Sequence, residues 1–204
     1  MEKMNEIIIQ AWIYGIVILS NSKFVELRKQ YKIKARKMLS YFAKHNDIGY
    51  KFTQEGSVIP IHGINNYQFT LYYGNELTNE VLEEWDLVYS QGPFNLSIGS
   101  DNCFWVTQLN ELEEWNDLKL KDVGYRFREV YNYKNELEKE KTAIRITYPE
   151  GKYEIRIIGL KRKHDEIIDS RINRNYGFFI ELSSVSEFGE SIDPTIVDFN
   201  FKEK

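Results

Sequence analysis

Apolar and polar residues alternate with a period of two along most of this chain, and only one stretch departs clearly from that rhythm. Residues 7–19 form the most apolar run, thirteen positions interrupted by Gln10 alone and rich in the strand formers Trp12, Ile13, Tyr14, Ile16, Val17 and Ile18. The run is too short for the ~20 apolar residues that span a bilayer. Glu2 and Glu6 against Lys3 oppose the cationic start of a secretory signal, so a buried strand and a cytoplasmic protein are expected, with the signal peptide as the alternative. After Asn21-Ser22, the positions Phe24, Leu27, Tyr31, Ala35, Met38, Leu39 and Phe42 recur at three- and four-residue spacing, which predicts one long helix near residues 23–45. Asn46-Asp47 and Gly49 supply its stop.

From there the rhythm of two takes over, with strands expected at 57–61, 67–73, 85–89, 94–98, 103–109, 142–148, 152–160, 177–182 and 195–201. Turn residues such as Gly74-Asn75, Gly92-Pro93 and Asp193-Pro194 separate several of them. Pro149-Glu150-Gly151 has the chemistry of a tight turn and predicts a hairpin. On its two arms Ile144, Ile146, Tyr148, Tyr153, Ile155 and Ile157 would face the core, and Arg145, Thr147, Glu154 and Arg156 the solvent. Residues 133–141 and 161–174 are highly charged and read as long loops or short exposed helices. The expected fold is mainly β (α+β), a β-sandwich or open barrel with one N-terminal helix. Residues 1–66 would form a strand-helix-strand element packed on a β-sandwich domain of residues 67–204.

Composition narrows the chemistry. With 42% hydrophobic residues in 204, the chain is long and apolar enough to bury a core. The single cysteine, Cys103, excludes an internal disulfide and any zinc site that needs two thiols, and is expected in the core. A net charge of −4 argues against a general nucleic-acid binder. His45, His62 and His164 stand apart from one another, without metal-ligand spacing, and read as helix-end, strand-end and surface residues. Asp101-Asn102 after Gly99-Ser100 fits a turn better than a calcium loop, since only one acid is present. No catalytic motif, metal site, cofactor or membrane partner is expected.

Charge is segregated along the chain. Between residues 23 and 51 nine basic side chains face two acidic ones, whereas between 76 and 122 eleven acids face Lys119 and Lys121. The acidic stretch repeats a word, Leu82-Glu83-Glu84-Trp85-Asp86 and Leu112-Glu113-Glu114-Trp115-Asn116-Asp117. Aromatic anchors inside an anionic rim suit an interface for a basic partner. The candidate protein-binding residues are therefore Glu80, Glu83, Glu84, Trp85, Asp86, Glu111, Glu113, Glu114, Trp115 and Asp117; alternatively, the tryptophans fill the core and the acids solubilise.

From Tyr67 onward the order of features resembles the competence nuclease-inhibitor family and, more loosely, bacterial toxin immunity proteins. The residues that carry the resemblance are Tyr67-Gln68-Phe69-Thr70-Leu71, Trp85 ahead of Gln91-Gly92, the strand at 94–98 and Tyr148-Pro149-Glu150-Gly151-Lys152-Tyr153, over about two-thirds of the chain. It implies a non-catalytic immunity or inhibitor protein that binds and neutralises a cognate basic toxin, such as a nuclease, and transfers no individual functional residue. The alternatives are a β-sandwich module for a peptide, sugar or lipid, and an enzyme with a dispersed site.

Overall fold

The computed structural model describes residues 6–13, 15–121, 123–131, 134–165, 167–169 and 172–201. In chain order the elements are β1 (Ile7–Gln10), β2 (Gly15–Leu19), α1 (Asn21–Gln30), α2 (Met38–Lys44), α3 (Asn46–Gln54), β3 (Val58–His62), β4 (Gln68–Gly74), α4 (Asn79–Glu84), β5 (Trp85–Ile98) and β6 (Cys103–Gln108). A 3-10 turn, Leu109–Glu114, precedes β7 (Tyr125–Tyr131), β8 (Leu137–Thr147) and β9 (Gly151–Arg162). The short strands β10 (Ile167–Asp169) and β11 (Ile172–Asn173), then β12 (Tyr176–Val185) and a second 3-10 turn, Pro194–Ile196, complete the order. The fold is mainly β, as the rhythm of two predicts.

Two five-stranded sheets face each other, one in the order β1-β4-β12-β9-β5 and the other β3-β2-β6-β8-β7. Strand alternation explains the layers. In β2, Ile16 and Ile18 enter the core between the sheets, while Val17 and Leu19 point outward beneath the helices. In β6, Phe104 and Val106 point inward, and Cys103 and Trp105 outward. Both strands are therefore buried on every residue, because both of their faces are covered, and the polar Thr107 and Gln108 at the end of β6 donate hydrogen bonds to the carbonyls of Thr142 and Gln10. The central core also takes Phe69, Leu71, Phe94, Ile155, Ile157, Phe178 and Ile180 from the facing sheet. A second core forms where Phe24, Leu27, Met38, Phe52, Leu112 and Trp115 cover the outer face of the β2-containing sheet. A smaller one, Tyr72, Val81, Trp85, Leu160 and Phe179, lies under α4 on the outer face of the other sheet.

Several expectations are corrected. The apolar run 7–19 is two strands in different sheets: Ile13 takes a left-handed φ of 53°, and the Gly15 amide donates to the Trp12 carbonyl, which turns the chain from one sheet into the other. Tyr14, inside that run, lies outside the described residues. The single helix becomes two, because Lys32 has φ 54° and Arg28 donates to the carbonyls of Ile33 and Ala35, ending α1 and holding the next segment in a non-helical path; the expected stop at Asn46-Asp47 and Gly49 is instead the start of a further helix, α3. The strands expected at 85–89 and 94–98 form one bulged strand, β5. Much of the charged 133–141 segment is the outer half of β8, and β7 was not foreseen, since its alternation leaves neither face in a core. Within 161–174, β9 continues to Arg162 and β10 pairs with β11; Tyr133, Glu166, Ser170 and Arg171 of these segments lie outside the described residues.

The turn at Pro149–Gly151 does not close a hairpin. β8 pairs with β6 and β7, and β9 with β12 and β5, so the chain crosses between sheets there. The inward faces are as expected, but Ile144 and Ile146 meet Ile155 and Ile157 across the core instead of side by side. Asn102 holds this corner: its carbonyl accepts from the Tyr148 amide at 3.0 Å, and its side-chain oxygen from the Glu150 amide at 3.0 Å. The strand expected at 195–201 is instead a 3-10 turn and an extended tail that inserts Phe199 between the sheets, where it is fully buried. The Tyr89 hydroxyl fastens that tail by donating to the Phe199 carbonyl at 2.5 Å.

Candidate functional site

The two acidic words occupy opposite outer layers of the sandwich. The first belongs to α4 and the start of β5. Its Trp85 is only 1% exposed, packed on Leu160 and Phe179, with the Arg162 guanidinium 4.5 Å above its ring. Arg162 also pairs with Glu84 at 3.2 Å, so that this carboxylate belongs to the packing around Trp85. The second word belongs to the 3-10 turn and the loop after it. Trp115 is likewise 1% exposed, against Phe24 at a ring separation of 4.6 Å. Both tryptophans are core residues and cannot serve as exposed anchors, which corrects the expectation that they present themselves to a partner.

Three acids in and beside the second word are held inside the molecule. Asp117 pairs with Arg28 and accepts from the Trp115 indole N–H at 2.9 Å. Burial lowers the pKa of Arg28 from its ordinary value, and the guanidinium is held by this carboxylate and by the Ala35 carbonyl at 2.8 Å. Glu113 accepts from the Ser40 amide at 2.8 Å and from its hydroxyl, so it satisfies an otherwise orphan N–H in the first turn of α2. Glu111 pairs with Lys119 at 2.6 Å. Glu111, Glu113 and Lys119 line a cleft of ≈ 680 Å³ together with Arg36, Lys37, Glu114 and Arg126. Among the described residues, the Arg28–Asp117 pair is the ion pair that joins the basic segment to the acidic stretch.

What remains open lies on the other side. Glu80, Glu83 and Asp86 are exposed, and no ion pair to any of them is found among the described residues. Directly after them on β5 come Leu87 and Val88, 54% and 42% exposed, beside a bulge between Leu87 and Tyr89. Sequence reasoning overlooked these two aliphatic residues. Their signal was the pair of adjacent apolar residues in a strand whose alternation allows only one to face inward.

The other candidate chemistry is dispersed. His62 sits at the end of β3 with Nε2 3.0 Å from the Thr195 carbonyl, His45 lies between α2 and α3, and His164 is exposed. Cys103 is buried, and burial pushes its thiol pKa up, away from the thiolate. Asp101 accepts from the Ser22 hydroxyl at 3.0 Å within a turn. Among the described residues no group of three His, Cys, Asp or Glu side chains is placed to hold a metal ion, and no helix is long and apolar enough to cross a membrane.

No family model matches the chain, and no curated protein matches it by sequence. A solved structure titled "Crocagin biosynthetic gene J" aligns with 87% of this chain and 96% of that one, at 11% identity and a TM-score of 0.41. A likeness of that size bears on neither the fold nor the function.

Proposed function

We propose that this chain is a non-catalytic immunity or inhibitor protein of the cytoplasm that binds and neutralises a cognate basic toxin, such as a nuclease. The observation that carries the reading is the acidic edge of α4 and β5, where Glu80, Glu83 and Asp86 adjoin the exposed Leu87 and Val88. Exposed carboxylates draw a cationic partner from a distance, and the two aliphatic side chains give the encounter a centre that can be desolvated. A nuclease presents a basic surface because it must bind phosphates, and an acidic edge is complementary to such a surface. The candidate set narrows accordingly: Glu111, Glu113 and Asp117 stabilise the fold, Glu84 steadies Arg162, and the partner meets Glu80, Glu83, Asp86, Leu87 and Val88.

The test is capture of the partner from the source cell, followed by reconstitution from purified components. Expected is a basic protein whose toxicity disappears at equimolar ratio, with an on-rate that falls as salt rises over a Debye length of about 8 Å at physiological ionic strength. Joint charge reversal at Glu80, Glu83 and Asp86 lowers that on-rate and flattens its salt dependence; reversal of Lys32 and Lys37 does neither. Loss of protection on reversing only the basic pair refutes the acidic-edge mechanism. Substrate turnover that depends on His62 or His164 refutes the inhibitor reading altogether.

A further inference from the structure

Four strand edges bound the two sheets: β1 and β5 in one, β3 and β7 in the other. Native sheets blunt such edges, because a row of unpaired N–H and C=O groups templates another strand. β1 is only four residues long, β3 carries Pro60 at its centre, and β5 is bulged twice and carries Pro93. β7 is neither short nor interrupted by proline, and the one irregularity in its pairing, between Arg126 and Phe127, places the extra residue, Thr142, on β8 and leaves the outer edge of β7 regular. The strand runs seven residues, Tyr-Arg-Phe-Arg-Glu-Val-Tyr, and among the described residues it pairs with β8 alone. Tyr125, Phe127 and Tyr131 project from one of its faces, 55%, 44% and 70% exposed. On that face Lys139 of β8 lies 4.5 Å from the centre of the Phe127 ring, and Lys141 lies 5.9 Å from that of Tyr125.

We propose that β7 is a homodimer interface, pairing antiparallel with β7 of a second copy about a two-fold axis at Arg128, so that the two sheets become continuous. The order of side chains selects this occupant and this register. With Arg128 on the axis, Tyr125 stands opposite Tyr131 of the second copy and Phe127 opposite its Glu129, each pairing made twice. Since Phe127 carries the Lys139 ammonium on its ring, the incoming Glu129 meets a cation at both symmetry-related places. The two Arg128 side chains approach each other already compensated, each held by Glu140 at 2.9 and 2.8 Å and stacked over Trp12 at 3.8 Å. Sliding the register two residues one way sets Arg126 against Arg128 twice, and the other way sets Glu129 against Glu129; a shift by one exchanges the faces. A closed two-fold pairing uses up both edges and cannot grow into a fibre.

The inference is independent of the α4–β5 edge, which lies on the other sheet, and the variants at Arg128, Glu129 and Lys139 leave that edge intact. Sedimentation velocity of the full chain across a concentration series is expected to show a monomer–dimer equilibrium. Glu129→Lys or Lys139→Glu alone should raise the dissociation constant about tenfold through like-charge contacts, and the double variant should restore it, with far-UV circular dichroism unchanged throughout. In a chain whose single native thiol, Cys103, is buried, Arg128→Cys should be joined to its copy by a short bismaleimide, while Leu87→Cys on the β5 edge should not. A chain that stays monomeric at every concentration, a double variant no better than the singles, or cross-linking through Leu87→Cys instead overturns the proposal.

Discussion

Replacing Asp117 by alanine distinguishes an acid that holds the fold together from one that awaits a partner. Its carboxylate neutralises Arg28, whose side chain is 8% exposed, and accepts from the Trp115 indole inside the helical layer. Removing one member of a fully buried ion pair costs about 3–5 kcal/mol, and stranding a buried N–H costs about 1–3 kcal/mol. Two facts reduce the sum. The Asp117 side chain is itself 40% exposed, so water replaces part of what is lost, and Arg28 keeps its bond to the Ala35 carbonyl. Asp117→Ala should therefore cost roughly 2 kcal/mol, which in a domain of this size lowers the melting temperature by about 4–8 °C. Asp117→Asn keeps an acceptor for the indole and should lose about half as much. Glu83→Ala, at an exposed carboxylate with no ion pair among the described residues, should stay within about 0.5 kcal/mol of the parent. Urea denaturation followed by tryptophan fluorescence, with equal m-values across the series, measures all three. If Asp117→Ala melts with the parent, the acids of the second word are not internal, and the division between the two words is wrong.

Phe199→Ala should cost about 3–5 kcal/mol in the same assay, because it empties a fully buried aromatic site between the sheets; a loss below 1 kcal/mol would mean that the tail does not plug the core. Stability should also fall as pH rises above about 9. Burial raises the pKa of Cys103 from its ordinary 9.0, and of Tyr72, Tyr89, Tyr148 and Tyr153 from 10.0. The unfolded chain therefore releases these protons first, and deprotonation pulls the equilibrium toward it; a melting temperature that stays flat from pH 8 to 11 refutes the assignment of these groups to the interior.

Where a residue's environment follows from its immediate neighbours, the sequence was a good guide. The alternation of Ile144, Ile146, Tyr153, Ile155 and Ile157 identified inward faces, and the apolar residues of β2 and β6 read as strand, which they are. Local pattern carries no information about which strand lies beside which, and this is why Pro149–Gly151 read as a hairpin. The same limit applies to charge. Glu113 and Asp117 looked like a free acidic face because the groups that satisfy them, Ser40 and Arg28, lie in a distant segment. β7 escaped notice for a different reason: strand signals are mostly burial signals, and β7 is exposed on alternate residues with nothing fully buried.

The way the two sheets share the chain bears on how it must fold. β2 sits between β3 and β6, with Val17 opposite Pro60 on one side and Thr107 on the other, while β12 lies parallel to β4 with Gly177 beside Thr70. Residues 7–62 thus supply strands to both sheets, and β12, near the C-terminus, sits between β4 and β9 in the middle of one. During synthesis the fully apolar β2 has β3 within reach early but waits for β6, and the first sheet has no centre until β12 emerges. Such non-local closure is slow, on the order of milliseconds to seconds for sheet-dominated domains, and it leaves apolar strands uncovered meanwhile. Until β6 arrives, the outer face of residues 15–19 has only the early helices to cover it, and loss of either end removes β1 or β12 from the first sheet and with it one wall of the core that both sheets share.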